Sequence, residues 1–144
     1  MDKSNIANAS TTIDVPVAKV WRALVTPEII KRYMFGATVV SEWKEGTPIV
    51  WRGEWKGKPY EDKGVIVRLD PGRTLRYTHW SPLSGVPETP ENHHTVTIEL
   101  AGEGAHTHVS LSQDKNSTEE ERKHSEENWK TMLVGLKKVL ESEG

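Results

Sequence analysis

Hydrophobic positions change their period along the chain, and each change marks an element. Residues 6–14 are small and β-branched, and Ala9-Ser10-Thr11-Thr12-Ile13 reads as a strand. From Pro16 the period lengthens. Val17, Val20, Trp21 and Leu24 fall at i, i+3, i+4 and i+7, one stripe of a helix. Pro16 stands where a first helical residue needs no N–H. Thr26-Pro27 repeats the device, with Thr26 as N-cap and Pro27 at the first position, ahead of Ile30, Tyr33 and Met34 on one face. Two short helices in succession are expected.

From residue 37 the period is two. Residues 37–43 and 48–55 read as strands joined by Lys44-Glu45-Gly46-Thr47. In the second, Ile49, Trp51, Gly53 and Trp55 alternate with Val50, Arg52, Glu54 and Lys56, so one face is aromatic and the other mostly charged. Turns at Lys56-Gly57-Lys58 and Asp70-Pro71-Gly72 bound a strand over 60–69, and 74–80 is the next. Residues 81–92 hold three Pro and one Gly among polar side chains and read as a loop over one end of the sheet. His94, Val96, Ile98 and Leu100 alternate with polar residues, as do Thr107, Val109, Leu111 and Gln113 beyond a Gly102-Glu103-Gly104 turn. Matching the apolar sets places Leu100 opposite Thr107 and Ile98 opposite Val109.

The last segment reads as one helix of about 24 residues. Ser117 or Thr118 caps it, with Glu120 or Glu121 as the capping-box partner. Acidic residues 119–121 in the first turn and Lys137-Lys138 near the end complement the helix dipole. Trp129, Met132, Leu133, Leu136 and Leu140 form its apolar stripe, and Arg122, Ser125 and Glu126 continue the same face. The second half is therefore expected to be anchored and the first half free to lift.

The order is strand, two helices, six strands, long helix. Neither a helical stripe nor the concave face of a curved sheet can be buried alone. The expected fold is α+β: a curved antiparallel sheet of about six to seven strands with the last helix across it. At 144 residues the chain fits one domain, 1–144, large enough for a core without staples. Six Trp against one Phe give that core flat walls with N–H donors inside it. The net charge of −2, with both signs interspersed, offers no basic face for nucleic acid. The lack of Cys excludes disulfides, thiolate catalysis and Cys-ligated zinc. Residues 1–10 have no signal-peptide core, and no apolar run approaches membrane-spanning length. A soluble cytoplasmic protein without membrane insertion is expected, as a monomer.

Several of these segments together match a known family. Ile13-Asp14-Val15-Pro16, Val20-Trp21 and Leu24-Val25-Thr26-Pro27-Glu28-Ile29-Ile30 open the match. Gly64-Val65, Asp70-Pro71, Leu75, Tyr77, Val96-Thr97-Ile98-Glu99-Leu100 and Trp129 continue it. In order and spacing the chain resembles the family of homologues of the activator of the heat-shock protein 90 ATPase, within the START/birch-pollen-allergen superfamily. That resemblance, over residues 6–140, implies the helix-grip fold and an internal cavity for lipids or aromatic, polyketide-like molecules, together with a link to the stress response. It does not imply one chemistry, since relatives include carriers, cyclases, hydrolases and chaperone activators. Two positions depart from the family: Asn128 stands where Gly often precedes the helix Trp, and His79 stands where a Trp is common, with Trp80 one place later.

The candidate ligand-binding residues are Trp51, Trp55, Tyr77, His79, Trp129, Met132, Met34 and Phe35, with Trp43 at their margin. The bland alternative is that they simply fill the core. Entry is expected at the 81–92 loop, at 117–128 and at Met34-Phe35. Arg52, Glu54, Lys56 and Arg68 read as a solvated convex face. Tyr60, Asp62 and Arg76 lie on strands whose facing the pattern leaves open. His106 and His108 share a strand face, with Glu99 opposite His108, a legitimate metal triad. It falls on the polar side beside a turn, and no metal is expected there. His94 looks inward near Gln113.

There is no Gly-x-Ser-x-Gly elbow and no phosphate-cradling loop, so no catalytic residue or cofactor is expected. The leading function is binding of a small hydrophobic ligand, aromatic, polyketide-like or acyl. The alternatives are a regulator that binds a protein partner and a cyclase- or hydrolase-type enzyme using His79, His94 or Asp62.

Overall fold

The computed structural model describes residues 6–34, 36–55, 57–81, 87, 89, 92–116 and 118–142, with the side chain of residue 55 outside that set. In chain order the elements are β1 (Ala7–Ile13), α1 (Val17–Val25), α2 (Pro27–Tyr33), β2 (Thr38–Ser41), β3 (Pro48–Trp55), β4 (Lys58–Asp70), β5 (Thr74–His79), β6 (His94–Glu103), β7 (His106–Gln113) and α3 (Glu119–Ser142). The seven strands form one antiparallel sheet in the order β1-β7-β6-β5-β4-β3-β2. The first two strands are therefore its opposite edges, and α1 and α2 carry the chain from one edge to the other. This is the expected α+β architecture. Among the described residues no helix is long and apolar enough to cross a membrane.

Local chemistry accounts for the elements, with some differences from the pattern. Pro16 sits one place earlier than expected, as the N-cap of α1, and its carbonyl accepts from the Lys19 and Val20 N–H groups. Val20, Ala23 and Leu24 are buried. Thr26 does occupy the N-cap of α2, but its hydroxyl makes no capping bond. What holds α2 is the Tyr33 hydroxyl, which donates to the Ala23 carbonyl at 2.8 Å and ties it to α1. Burial pushes that phenol above its ordinary pKa. β2 is shorter than the expected 37–43, because the backbone at Trp43 turns to φ 55° and its N–H donates to Ser41 Oγ.

The β6–β7 hairpin keeps its expected faces but not its expected register. Ile98 pairs with Leu111, Leu100 with Val109 and Gly102 with Thr107. The turn is tighter than Gly102-Glu103-Gly104, since Glu103 and His106 already pair and only two residues connect them. Gly104, at φ 65°, supplies the left-handed backbone that a two-residue hairpin requires. A slip of two preserves the alternation, so apolar residues still meet apolar residues. Glu99 consequently faces Ser110, and His108 faces Ala101. The expected Glu99–His108 pairing does not form. His106 Nδ1 instead lies 2.9 Å from Asp14 Oδ1, and His108 Nδ1 lies 3.2 Å from Thr12 Oγ1.

A single hydrophobic cluster fills the concave side. It joins Met132, Leu133, Leu136 and Leu140 of α3 to Val96, Ile98, Val109 and Leu111 of the sheet, and to Trp51 and Tyr77. α3 packs along β1, α2 and α1. Thr118 Oγ1 accepts from the Glu121 N–H, so of the two candidates Thr118 provides the cap.

The polar first half of α3 is tethered rather than free. Glu126 Oε2 accepts from the Asn8 N–H at 3.0 Å and pairs with Arg122 at 3.0 Å. Ser125 Oγ donates to Asn116 Oδ1, and Trp129 Nε1 donates to Gln113 Oε1 at 2.7 Å. At the other end Glu141 Oε2 accepts from the Asp14 N–H at 2.9 Å. Lys137 is not a last-turn cap; its ammonium donates to the Thr12 carbonyl and to Glu141.

Both carboxylates are held below the ordinary Glu value of 4.5. For Glu126 the leading cause is the Asn8 N–H; for Glu141 it is the Lys137 hydrogen bond, followed by the Asp14 N–H. A group whose folded pKa is depressed stabilises the fold above its unfolded value and loses that contribution as pH falls. The tethers should therefore weaken below pH 4.5. In urea unfolding across pH 3–6, the double variant Glu126→Gln, Glu141→Gln should show a flatter loss of stability on acidification than the parent. An unchanged slope would mean that other groups carry the acid sensitivity.

Candidate functional site between the sheet and the last helix

Curvature leaves space between sheet and helix that the cluster does not fill. An outer cavity of about 650 Å³ opens between Trp80, Ser81, His94 and Gln113 on the sheet side and His124, Ser125, Asn128 and Trp129 on α3. This lies within the range of small-molecule sites. Met34, Asp62, His79 and Trp129 line it and also line an inner chamber of about 140 Å³, which adds Ala37, Trp51, Tyr60 and Tyr77. A third void of about 20 Å³, beside Trp43 and Leu24, has room for one water.

Of the expected ligand-binding residues, the structure brings Met34, Trp51, Tyr77, His79, Trp129 and Met132 to these cavities. Trp51 stacks against two of its neighbours, with centroids 5.1 Å from Tyr77 in a tilted arrangement and 5.0 Å from His79 edge-on. Burial pushes the Tyr77 phenol above its ordinary pKa. Trp43 packs at the margin of the core beside the smallest void and not in the larger cavities. Phe35 and the Trp55 side chain lie outside the described residues, as do Ser117 and residues 82–86, 88, 90 and 91 of the expected gate. Ser81 and Asn92, at the two ends of that loop, line the outer cavity. His94 also lines it, with its Nδ1 2.8 Å from the Asp114 carbonyl oxygen. On the convex face Arg52 pairs with Glu61 at 2.7 Å and Arg68 with Asp70 at 3.7 Å, both largely exposed.

The strands settle the facing that the pattern left open. Ile66 pairs with Tyr77, but Arg68 pairs with Arg76 and Leu69 with Leu75, so a bulge interrupts β4 there. Before the bulge Tyr60, Asp62, Gly64 and Ile66 share the inner face; after it Leu69 does. Arg76 takes the outer face, where its Nε donates to Thr97 Oγ1. A run read as one uninterrupted alternation has no single answer across such a shift. The signal for Asp62 was its in-phase spacing with Gly64 and Ile66, and the neighbouring valines on the other face, Val65 and Val67, masked it.

Asp62 and His79 form the polar element of the site. In the register set by Ile66–Tyr77 and by the Lys63–Trp80 bridge, Gly64 faces His79. The imidazole Nε2–H donates to Asp62 Oδ2 at 2.9 Å. The carboxylate can only accept, which assigns the proton to Nε2. The two side chains keep 15% and 30% of their surface exposed. Asp62 Oδ1 is buried and has no hydrogen-bond partner among the described residues. Next along the face, the Tyr60 phenol is raised in pKa by burial and then by the Asp62 charge.

The matches to known proteins agree with this architecture. The family model described as Activator of Hsp90 ATPase homolog 1-like protein matches residues 14–141, and the chain belongs to that family. The solution structure of ChR145 from Cytophaga hutchinsonii is 58% identical over 99% of this chain and 98% of that one, with a TM-score of 0.86. CalU16 from Micromonospora echinospora is 23% identical over 91% of this chain and 71% of that one, at a TM-score of 0.72. The Aha1 dimer from Colwellia psychrerythraea is 19% identical over 94% and 95%, at a TM-score of 0.71. At those last two identities the likeness is one of fold. No curated protein matches the chain.

The close strand approach at Gly64 yields a direct test. A Cβ there would overlap the Thr78 carbonyl oxygen, which is backbone and cannot swing aside. The Val65 N–H also donates to Thr78 Oγ1 at this point, so the strands have little freedom to part. Gly64→Ala should cost about 1–3 kcal/mol in urea unfolding, as forced overpacking does, and should displace the His79 ring resonances. A stability within about 0.5 kcal/mol of the parent, as for a neutral surface change, would mean the strands separate freely there.

Proposed function

We propose that the protein binds a small apolar molecule, aromatic, polyketide-like or acyl, in the cavity between the sheet and α3. The observation that carries this reading is that two adjoining spaces share Met34, Asp62, His79 and Trp129 in their linings. A cavity of about 650 Å³ borders one of about 140 Å³ walled by Trp51, Tyr77 and Trp129. Flat aromatic walls favour a ligand with a π-face, through stacking of about 0.5–1.5 kcal/mol beyond the area buried. A few polar groups in an apolar enclosure are what small-molecule sites use to orient their ligands. The Asp62–His79 pair supplies them here, and Trp129, its indole N–H taken up by Gln113, presents a fixed ring face.

A second reading has its own observation. On the outer face Val40 is 49% exposed and Val65 is 40% exposed, beside the half-buried Val50 that pairs with Val40. Such a patch next to the free β2 edge suits a protein partner, in line with the family's name.

An NMR titration with a panel of flat aromatic and fatty-acid compounds separates the two. Under the cavity reading, shifts should gather at Trp51, His79, Trp129 and Met132. Shifts confined to Val40, Arg52 and Glu54 would instead indicate a surface contact, and no response to any of the panel would sink the cavity reading.

A further inference from the structure

Resting on the cavity reading above, we infer that Asp62 is the ligand's polar anchor and that the ligand is a hydroxylated aromatic whose O–H donates to Asp62 Oδ1. A carboxylate has two acceptor oxygens, and here they are used unequally. His79 occupies Oδ2 at 2.9 Å, while Oδ1 is buried without a partner among the described residues. A buried acceptor left unpaired is costly, because it has lost water and gained nothing. The protein does not satisfy it from its own nearby hydroxyl. Tyr60, two residues along the same strand face, lays its ring across its cross-strand partner Gly53, so close that a Cβ on Gly53 would sit 2.7 Å from the Tyr60 oxygen. Asp62 lines both the outer cavity and the inner chamber, so it is within reach of a ligand in either.

The donor chemistry follows from the surroundings. Trp51, Tyr77 and Met34 make the chamber apolar, and an ammonium group would have to shed its hydration to enter it. A neutral hydroxyl loses far less. A phenolic O–H to a carboxylate makes a short, charge-assisted bond, stronger than a bond between neutral groups. The His79 imidazole holds the carboxylate in one orientation from the other side and is itself packed edge-on against Trp51. Oδ1 is thus a fixed acceptor, set beside aromatic walls on which the ring of the same ligand stacks.

The test compares naphthalene, 2-naphthol and 2-methoxynaphthalene by calorimetric or NMR titration on the intact chain. 2-Naphthol should bind about tenfold or more tightly than 2-methoxynaphthalene, the scale of one hydrogen bond to a charged acceptor. That preference should fall to near unity in Asp62→Leu. Asp62→Asn keeps the shape and an oxygen for His79, and should likewise bring the two ligands together, because its amide N–H₂ then faces the cavity and donates to either ligand's oxygen. Equal binding of naphthol and methoxynaphthalene to the parent overturns the anchor while leaving the cavity reading intact, as does a preference that survives both substitutions. Tighter binding of 1-naphthylmethylammonium than of either naphthol or naphthalene overturns the hydroxyl in favour of a cation. If not even naphthalene binds, the cavity reading fails and the anchor fails with it.

Discussion

The outermost strand of a sheet leaves every second N–H and C=O without a ladder partner, and side chains of α3 meet two such groups on β1 and the Asp14 N–H just beyond it. Glu126 takes the Asn8 N–H, Lys137 reaches the Thr12 carbonyl and Glu141 takes the Asp14 N–H. The spacing makes this workable. From Glu126 to Glu141 is about 22 Å of helix, and from Asn8 to Asp14 is about 20 Å of strand. Helix and edge therefore run alongside each other over nearly the full length of β1. Each bond lies near the surface, and none is strong singly. Together they set where the helix axis lies, and so which residues of α3 look down into the sheet.

That placement decides the interior. With the axis held toward β1, the aliphatic stripe from Met132 to Leu140 enters the common cluster. The sheet curves away under the first half of the helix, and there the side chains facing it are polar or large and half-buried. Ser125 and Trp129 are each fixed by a hydrogen bond to the segment after β7 or to its last residue. The helix is thus held over a space it does not fill. The same tethers line the β1 edge, and the outward valines lie at and near β2, the opposite edge.

Inside that space one polar pair stands out because, among the described residues, it breaks a rule that the rest of the core keeps. Buried polar groups elsewhere find partners: Thr107 Oγ1 donates to the Val15 carbonyl and Tyr33 to the Ala23 carbonyl. Asp62 completes only half of its bonding. Exceptions to local consistency tend to fall at functional sites, where a partner arrives from outside the chain. Gly64 is part of the same arrangement, since its missing side chain lets β4 close on the Thr78 carbonyl of β5, next to His79.

Periodicity determined the element order, the aromatic face of β3 and the stripe of α3, because each depends on spacing within one segment, while the family was legible in the motifs that resemble it, taken in order along the chain. The inward facing of Trp51, Tyr77 and Trp129 toward the cavities was legible from that same spacing: each sits in phase with core residues along its own element. What lay between segments was decided only in the folded molecule. The β6–β7 register slipped by two because a tighter turn satisfies the same alternation, and a period of two cannot tell one from the other. The inward facing of Asp62 was obscured by a bulge that moves the phase of β4 by one residue and by the valines of its other face, Val65 and Val67. The tethering of the first half of α3 was invisible because a Glu or Ser on a helix face reads as solvated until a strand edge with unpaired N–H groups is brought beside it. Local pattern records which side chains avoid water. Which polar groups complete one another depends on distances that only chain closure sets.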